Sequence, residues 1–252
     1  MKKVIRQFLF SFGFLTIIPG LGKIAAQPED TGKSTIYYPV VGITIGLFLY
    51  PISLFKGLTP LTISVIMCVF ILFFSRALHA DGLIDTIDGF LSGKKKKDEI
   101  LSVMRDSRLG AIGFICAFSL YLVKICLFYE ILTGESDGFP FYLAAVPALS
   151  RGGVALAGYV FPCADGQKGL GKAFISSIGF KQAIISFFLM GIISFSRNNL
   201  YSLLCAPLVS LFWILWGLIC RRKIGGMTGD TFGAGIELSE VFSLIVMYII
   251  FL

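Results

Sequence analysis

The sequence predicts an all-α polytopic membrane protein: a bundle of about six to seven transmembrane helices, with an N-terminal helix lying in the interface or re-entering it. Three observations carry this prediction. Only 15% of the 252 residues are charged, against 56% hydrophobic and a mean hydropathy of +0.85, where a soluble domain carries about a quarter charged residues. The apolar residues come in long runs instead of half-buried stripes; from Ile63 to Phe74 every residue except Ser64 is apolar. No polar linker separates a second unit, so residues 1–252 read as a single membrane-embedded domain.

Residues 4–18 form the first apolar stretch, behind Lys2 and Lys3 and interrupted by Arg6. Its length of about fifteen residues is short for a span, and it lacks a small-residue cleavage site, so it is expected to stay as an interfacial or re-entrant helix. Runs near twenty residues then place spans at 36–55, 60–80, 109–133, 139–161, 175–195, 200–219 and 234–252. Pro51, Pro147 and Pro207 fall inside or near the ends of these, which membrane helices tolerate. With the Lys94–Lys97 loop placed on the cytoplasmic side, the outside segments keep only Lys56 and Arg197 as basic residues, which sets the orientation. The same bias accounts for the net charge of +7; no basic patch interleaved with aromatics argues for nucleic acid, and that partner is excluded. Six cysteines without a CxxC and a single histidine support neither a disulfide framework nor a zinc site.

Three polar segments, 76–108, 162–174 and 221–233, fall on the cytoplasmic face, and function is expected where they converge. The first holds HADGLIDTIDGF, residues 79–90, in which Asp81, Asp85 and Asp88 stand at i, i+4 and i+7. On a helix these share one face about sixty degrees wide. Like charges so placed repel, more strongly where screening is weak, and something must offset that. Magnesium suits the site, being a hard cation held by oxygen ligands and completed by substrate phosphates. Asp106, in MRDSRLGAIG at the start of the next span, offers a fourth carboxylate across the same hairpin. The competing reading is that these acids solvate a helix end or pair with Arg105 and Arg108. Gly82 and Gly89 beside the acids leave room for a ligand near the backbone. His79 lies about 160° around the helix from Asp81; a structural histidine competes there with a functional one.

HADGLIDTIDGF and MRDSRLGAIG, together with FLTIIP, YYPVVGITIG at 37–46, ALSRGG at 148–153, KGLGKAF at 168–174 and GGMTGDTFGAGIELSE at 225–240, resemble the cobalamin synthase family of adenosylcobinamide-GDP ribazoletransferases. The resemblance implies a multi-pass enzyme of a bacterial or archaeal cytoplasmic membrane, its active site on the cytoplasmic face. Its reaction would join adenosylcobinamide-GDP to α-ribazole, or the 5′-phosphate, and release GMP with magnesium required. Asp81, Asp85, Asp88 and Asp106 would then be the metal ligands, with Asp106 or Asp88 as the catalytic base. The lipid bilayer and these small molecules are the implied partners, and a homo-oligomer is left open. Asp85 to Gly89 also has the DxxDG pattern of CDP-alcohol phosphotransferases, a second enzyme reading. A cation transporter is a third, disfavoured because transporter sites lie near the midplane.

Further residues acquire roles on this view. Arg105 and Arg108 flank Asp106 as counter-charges or phosphate contacts. Arg151, inside a span, is expected to reach the phosphates or the acids, with a structural ion pair as the alternative. Lys124 has a stem long enough to snorkel. The loop 163–172 offers glycine amides, Lys168 and Lys172 to an anion, although Asp165 stands where the family tends to place an arginine, and a plain tight turn explains the same letters. Thr228 and Asp230 would orient guanine, ribose or metal, or else cap the last helix. Glu237 and Glu240, inside that helix, call for an aqueous or basic neighbour.

Overall fold

Backbone groups in lipid must bond within their own segment, so long apolar runs fold as helices. The computed structural model describes residues 3–21, 27–134, 139–164, 170–195 and 200–251. In order, its helices are α1 (Lys3–Leu15), α2 (Pro28–Lys33), α3 (Tyr38–Ser53), α4 (Pro60–Phe74), α5 (Leu78–Leu91) and α6 (Lys97–Met104), followed by α7 (Ala111–Thr133), α8 (Phe139–Val160), α9 (Leu170–Ser176), α10 (Phe180–Phe195), α11 (Cys205–Ile224) and α12 (Gly229–Phe251). Among the described residues five helical stretches are long and apolar enough to cross a membrane: Asp30–Ser53, Ala111–Thr133, Phe141–Val160, Ser202–Ile224 and Gly229–Ile250. A sixth span exists if α4 and α5 count as one broken crossing. Lys2 and Arg197 of the charge-asymmetry argument lie outside the described residues.

Two expected spans are corrected. The run at 175–195 yields α10, only 16 residues long, a rise of roughly 24 Å that falls short of a hydrocarbon core of about 30 Å. The run at 60–80 does not continue as one helix. Arg76 N–H donates to the Phe73 carbonyl (2.9 Å) and Ala77 N–H to the Leu72 carbonyl (2.7 Å), closing α4 with a Schellman-type stop. Arg76 and Ala77 adopt φ of 58° and 53°, a region ordinarily left to glycine. The chain leaves this elbow as α5, turned 88° from α4.

Helix α1 is a short separate element packed on the bundle. Its 13 residues rise roughly 20 Å, its polar Gln7 and Ser11 are buried, and Val4, Ile5, Phe8 and Phe14 are exposed, so the apolar face is the outer one. It is tied down at both ends. Arg6 and Gln7 bond the buried carboxylate of Asp30 on α2, and Ile17 N–H donates to the Phe74 carbonyl at the elbow (2.8 Å).

The centre of the bundle packs through small residues, as membrane helices do when backbones approach closely. A Cβ on Gly42 or Gly46 of α3 would lie 2.3 Å from the Cα of Ala148 or Ala144 on α8. Deeper still, four charged side chains are at most 1% exposed. Lys124 of α7 bonds Glu237 (2.6 Å) and Glu240 (2.7 Å) of α12, and Arg151 of α8 bonds Glu240 (2.7 Å). Two cations face two carboxylates, which is how buried charge becomes tolerable.

The three polar segments do meet at one end of the bundle. Ala164 and Met227 pair through Ala164 N–H to the Met227 carbonyl (2.8 Å), while Met227 N–H donates to the Pro162 carbonyl (2.8 Å). Lys223 donates to the Phe90 carbonyl (3.0 Å). Ile100, Leu101 and Met104 of α6 form a small core there with Ala164 and Ile224.

Candidate active site

Helix α5 has one wet face and one packed face. Leu83 and Thr86 are buried, whereas Asp81 is exposed and Asp85 and Asp88 are half-buried. That is the division required by acids at i, i+4 and i+7. The flanking glycines serve packing, which corrects the expectation that they make room for a ligand. A Cβ on Gly82 would meet the backbone of Asp230 on α12 at 2.7 Å, and one on Gly89 would meet Met104 of α6 at 2.4 Å.

Gly82 thus lets the start of α12 approach α5 and carries Asp230 with it. The charged side chains that act on Asp85 are all acidic: Asp81, Asp230 and Asp88. Asp88 is also gripped from the next helix. Gly113 N–H donates to its Oδ1 (2.8 Å), and a Cβ on Gly110 would lie 2.0 Å from its Oδ2. The carboxylate therefore sits against the first turn of α7, where unpaired amides and the helix dipole favour an anion.

Asp106 is paired within its own loop. Arg108 Nη2 bonds its Oδ2 (2.5 Å) and Arg108 Nε bonds its Oδ1 (3.0 Å). The hydrogen bonds from Arg108 hold the Asp106 carboxyl down at about 2, because they favour the charged form. Asp230, which the sequence offered for substrate, metal or a helix cap, also lies in the field of Asp85. Arg105 is exposed at the end of α6.

Among the described residues no three His, Cys, Asp or Glu side chains converge to cage an ion by themselves. Magnesium does not require that, since it is bound by one or two carboxylates with waters and substrate phosphates. The donors suit it in kind: carboxylate oxygens, with only acidic charges acting on Asp85.

The remaining expectations divide. Arg151 pairs with Glu240 in the core, the ion-pair alternative. Lys124 is buried with the same acids instead of snorkelling. The sequence signalled this network only as isolated charges within spans. Thr228 is engaged in a cap: its Oγ1 accepts from Thr231 N–H (3.2 Å), while Thr231 Oγ1 accepts from Thr228 N–H (2.8 Å), a reciprocal arrangement that satisfies helix-end amides. This is the capping role that the sequence offered for Thr228 beside a substrate contact. Lys172 is exposed on α9; Asp165 and Lys168 of the same loop lie outside the described residues. His79 is buried, and neither ring nitrogen has a protein partner.

The model of the cobalamin-5-phosphate synthase family matches residues 7–248. A protein of Acetivibrio thermocellus named adenosylcobinamide-GDP ribazoletransferase is 32% identical over 250 residues, covering 98% of this chain and 99% of its own. Proteins of the same name from Geotalea daltonii (32% identical, 97% of each chain) and Brevibacillus brevis (31% identical, 95% of this chain and 96% of its own) are similar to nearly the same extent. No solved structure matches the chain.

Proposed function

The chain belongs to the cobalamin-5-phosphate synthase family, and from that premise we propose that it joins adenosylcobinamide-GDP to α-ribazole, or to its 5′-phosphate, with release of GMP. The observation that carries this reading is the gathering of Asp81, Asp88 and Asp230 around Asp85 at the end of the bundle where the polar segments meet. Displacement at a diphosphate needs negative charge neutralised on the transferring and leaving groups. Magnesium, when bound, supplies that neutralisation. Asp81, Asp85 and Asp88, with Asp230 from the start of α12 and Asp106 from the loop before α7, are the carboxylates that would hold it.

The residues of the chain then do the following. The ribazole hydroxyl attacks the phosphorus that carries cobinamide; a P–O bond forms to its oxygen, and the bridging P–O bond to GMP breaks. The hydroxyl proton passes to a carboxylate of α5, Asp88 in our assignment. Asp88 suits this because Gly113 fixes its orientation through one oxygen. Asp106 is ionised under all working conditions but, with Arg108 bonded to it, is a weak base, and we assign it to metal or phosphate positioning. Arg105, Arg108 and Lys172 are exposed, and we assign them to phosphate oxygens. The site faces the cytoplasm from the cytoplasmic membrane, in keeping with the basic bias of its loops.

The test is the purified protein in nanodiscs with both substrates, with and without magnesium, followed for GMP and the joined product. Chelation is expected to stop turnover, and Asp85→Asn or Asp88→Asn to abolish it in protein that is still inserted and monodisperse. Full rates in chelator would remove the metal, and near wild-type rates in the aspartate variants would remove the assignment. CMP release from CDP-diacylglycerol in place of GMP would establish the phospholipid reading.

A further inference from the structure

Beside the carboxylates opens a cavity of about 470 Å³, bounded by α1, α2, α3, α5, α8, α9 and α12. Phe10, Phe14, Tyr38, Phe174 and Phe232 line it together with aliphatic residues. Phe10 and Phe14 of α1 stack with centroids 5.8 Å apart, and Phe174 of α9 meets Phe232 of α12 edge-on at 5.7 Å. Asp81 and Asp230 line the same cavity, so it is continuous with the acidic site. His79 lines it as well. That imidazole is 2% exposed, and Nδ1 and Nε2 both lack a protein partner. Buried polar atoms are normally satisfied, and one that is not calls for an explanation.

We propose that this cavity is the subsite for the benzimidazole base of the acceptor nucleoside, with His79 hydrogen-bonding its ring nitrogen. The inference rests on the ribazoletransferase reading and assigns one part of the substrate pair to one place. Three bulky groups must be accommodated in that reaction. A corrin ring is far larger than the cavity. Guanine carries donors and acceptors around its edge, and beyond Asp81 and Asp230, which this reading gives to the metal and the phosphates, the wall is mostly apolar and would leave most of them unpaired. A dimethylbenzimidazole is apolar, planar and bicyclic, with a single ring nitrogen free to accept. A neutral imidazole offers one N–H donor and one acceptor, which matches that nitrogen and a sugar hydroxyl. The base seated here places its ribose toward Asp81 and Asp230, where the attacking hydroxyl is required.

The experiment uses the full chain in nanodiscs and measures KM separately for α-ribazole and for adenosylcobinamide-GDP. His79→Phe keeps a planar ring of similar size and deletes both nitrogens; Val154→Phe fills the cavity from α8. Each is expected to raise the ribazole KM about tenfold or more while the donor KM stays within about twofold, the selective loss of one binding contact. Free 5,6-dimethylbenzimidazole, which has no hydroxyl to react, should compete with ribazole and bind the wild-type protein by calorimetry, and bind His79→Phe about tenfold more weakly. A ribazole KM unmoved in both variants, a donor KM that moves instead, or displacement of the base by acyl lipid alone would each overturn the proposal. If the wild-type protein forms no GMP yet binds the base in a His79-dependent way, the functional reading fails and the subsite stands. GMP formation without that dependence sinks the subsite alone.

Discussion

Glu240→Gln is the most informative single perturbation of the fold. Glu240 accepts from Lys124 and from Arg151, both at 2.7 Å, with every partner at most 1% exposed. Lys124 keeps Glu237 at 2.6 Å after the change. Arg151 has no other carboxylate partner among the described residues, so the variant leaves one guanidinium uncompensated in the core. Removing one member of a buried pair costs roughly 3–5 kcal/mol, and a lone cation at the centre of a span about 2.5–3.5 kcal/mol; the expected loss is therefore about 3 kcal/mol. Adding Arg151→Met removes the stranded cation, and Lys124 with Glu237 stays neutral. The double variant should recover to within about 1 kcal/mol of wild type, a rescue of about 2 kcal/mol. Denaturation in mixed micelles followed by tryptophan fluorescence reads this directly, because Trp213 donates to the carbonyl of Ser150 next to Arg151 (3.2 Å). A single variant that loses under about 1 kcal/mol, or a double variant no better than the single, would refute charge balance as the reason these four residues are there.

Other consequences are as direct. Gly42→Ala or Gly46→Ala would drive a methyl into backbone 2.3 Å away and should cost about 1–3 kcal/mol in the same unfolding assay; Gly191→Ala on α10, with nothing within 4 Å, should be neutral or slightly stabilising, and equal losses at both sites would disprove the packing argument. For Asp106 the sign is set by a depressed carboxyl: its pairing with Arg108 contributes fully above the ordinary value of 3.8 and fades as pH falls toward about 2. Carbon-13 titration of labelled aspartate should show Asp106 ionised throughout the working range and returned toward 3.8 in Arg108→Gln; titration of the wild-type group above 3.8 would contradict the bonding seen.

Much of the candidate site was legible as local pattern. The shared face of Asp81, Asp85 and Asp88 follows from helix period alone, and α5 presents it so. The support of Asp88 by Gly113 was not legible, although both residues stood in the motifs quoted. Twenty-five positions of sequence separate them, and only the packing of α7 on α5 brings an amide to that carboxylate. Asp106, nearer in sequence and inside a telling motif, turns instead to Arg108 two residues on, because a local bidentate pair needs no tertiary approach.

Composition and run length by themselves determined that this chain is a helical membrane bundle, since lipid leaves a backbone few ways to satisfy its amides. They also determined that buried charge would need partners, without saying which. Tertiary structure alone decided that Arg151 and Lys124 meet the acids of α12, that Asp230 joins Asp85, and that α4 ends in an elbow at Arg76 and Ala77. No glycine or proline marks that elbow in the sequence; contacts from other elements, the Ile17 bond to Phe74 among them, hold it. Identity of residues sets what each helix must hide or pair, while the choice of partner belongs to whichever helix comes to lie opposite.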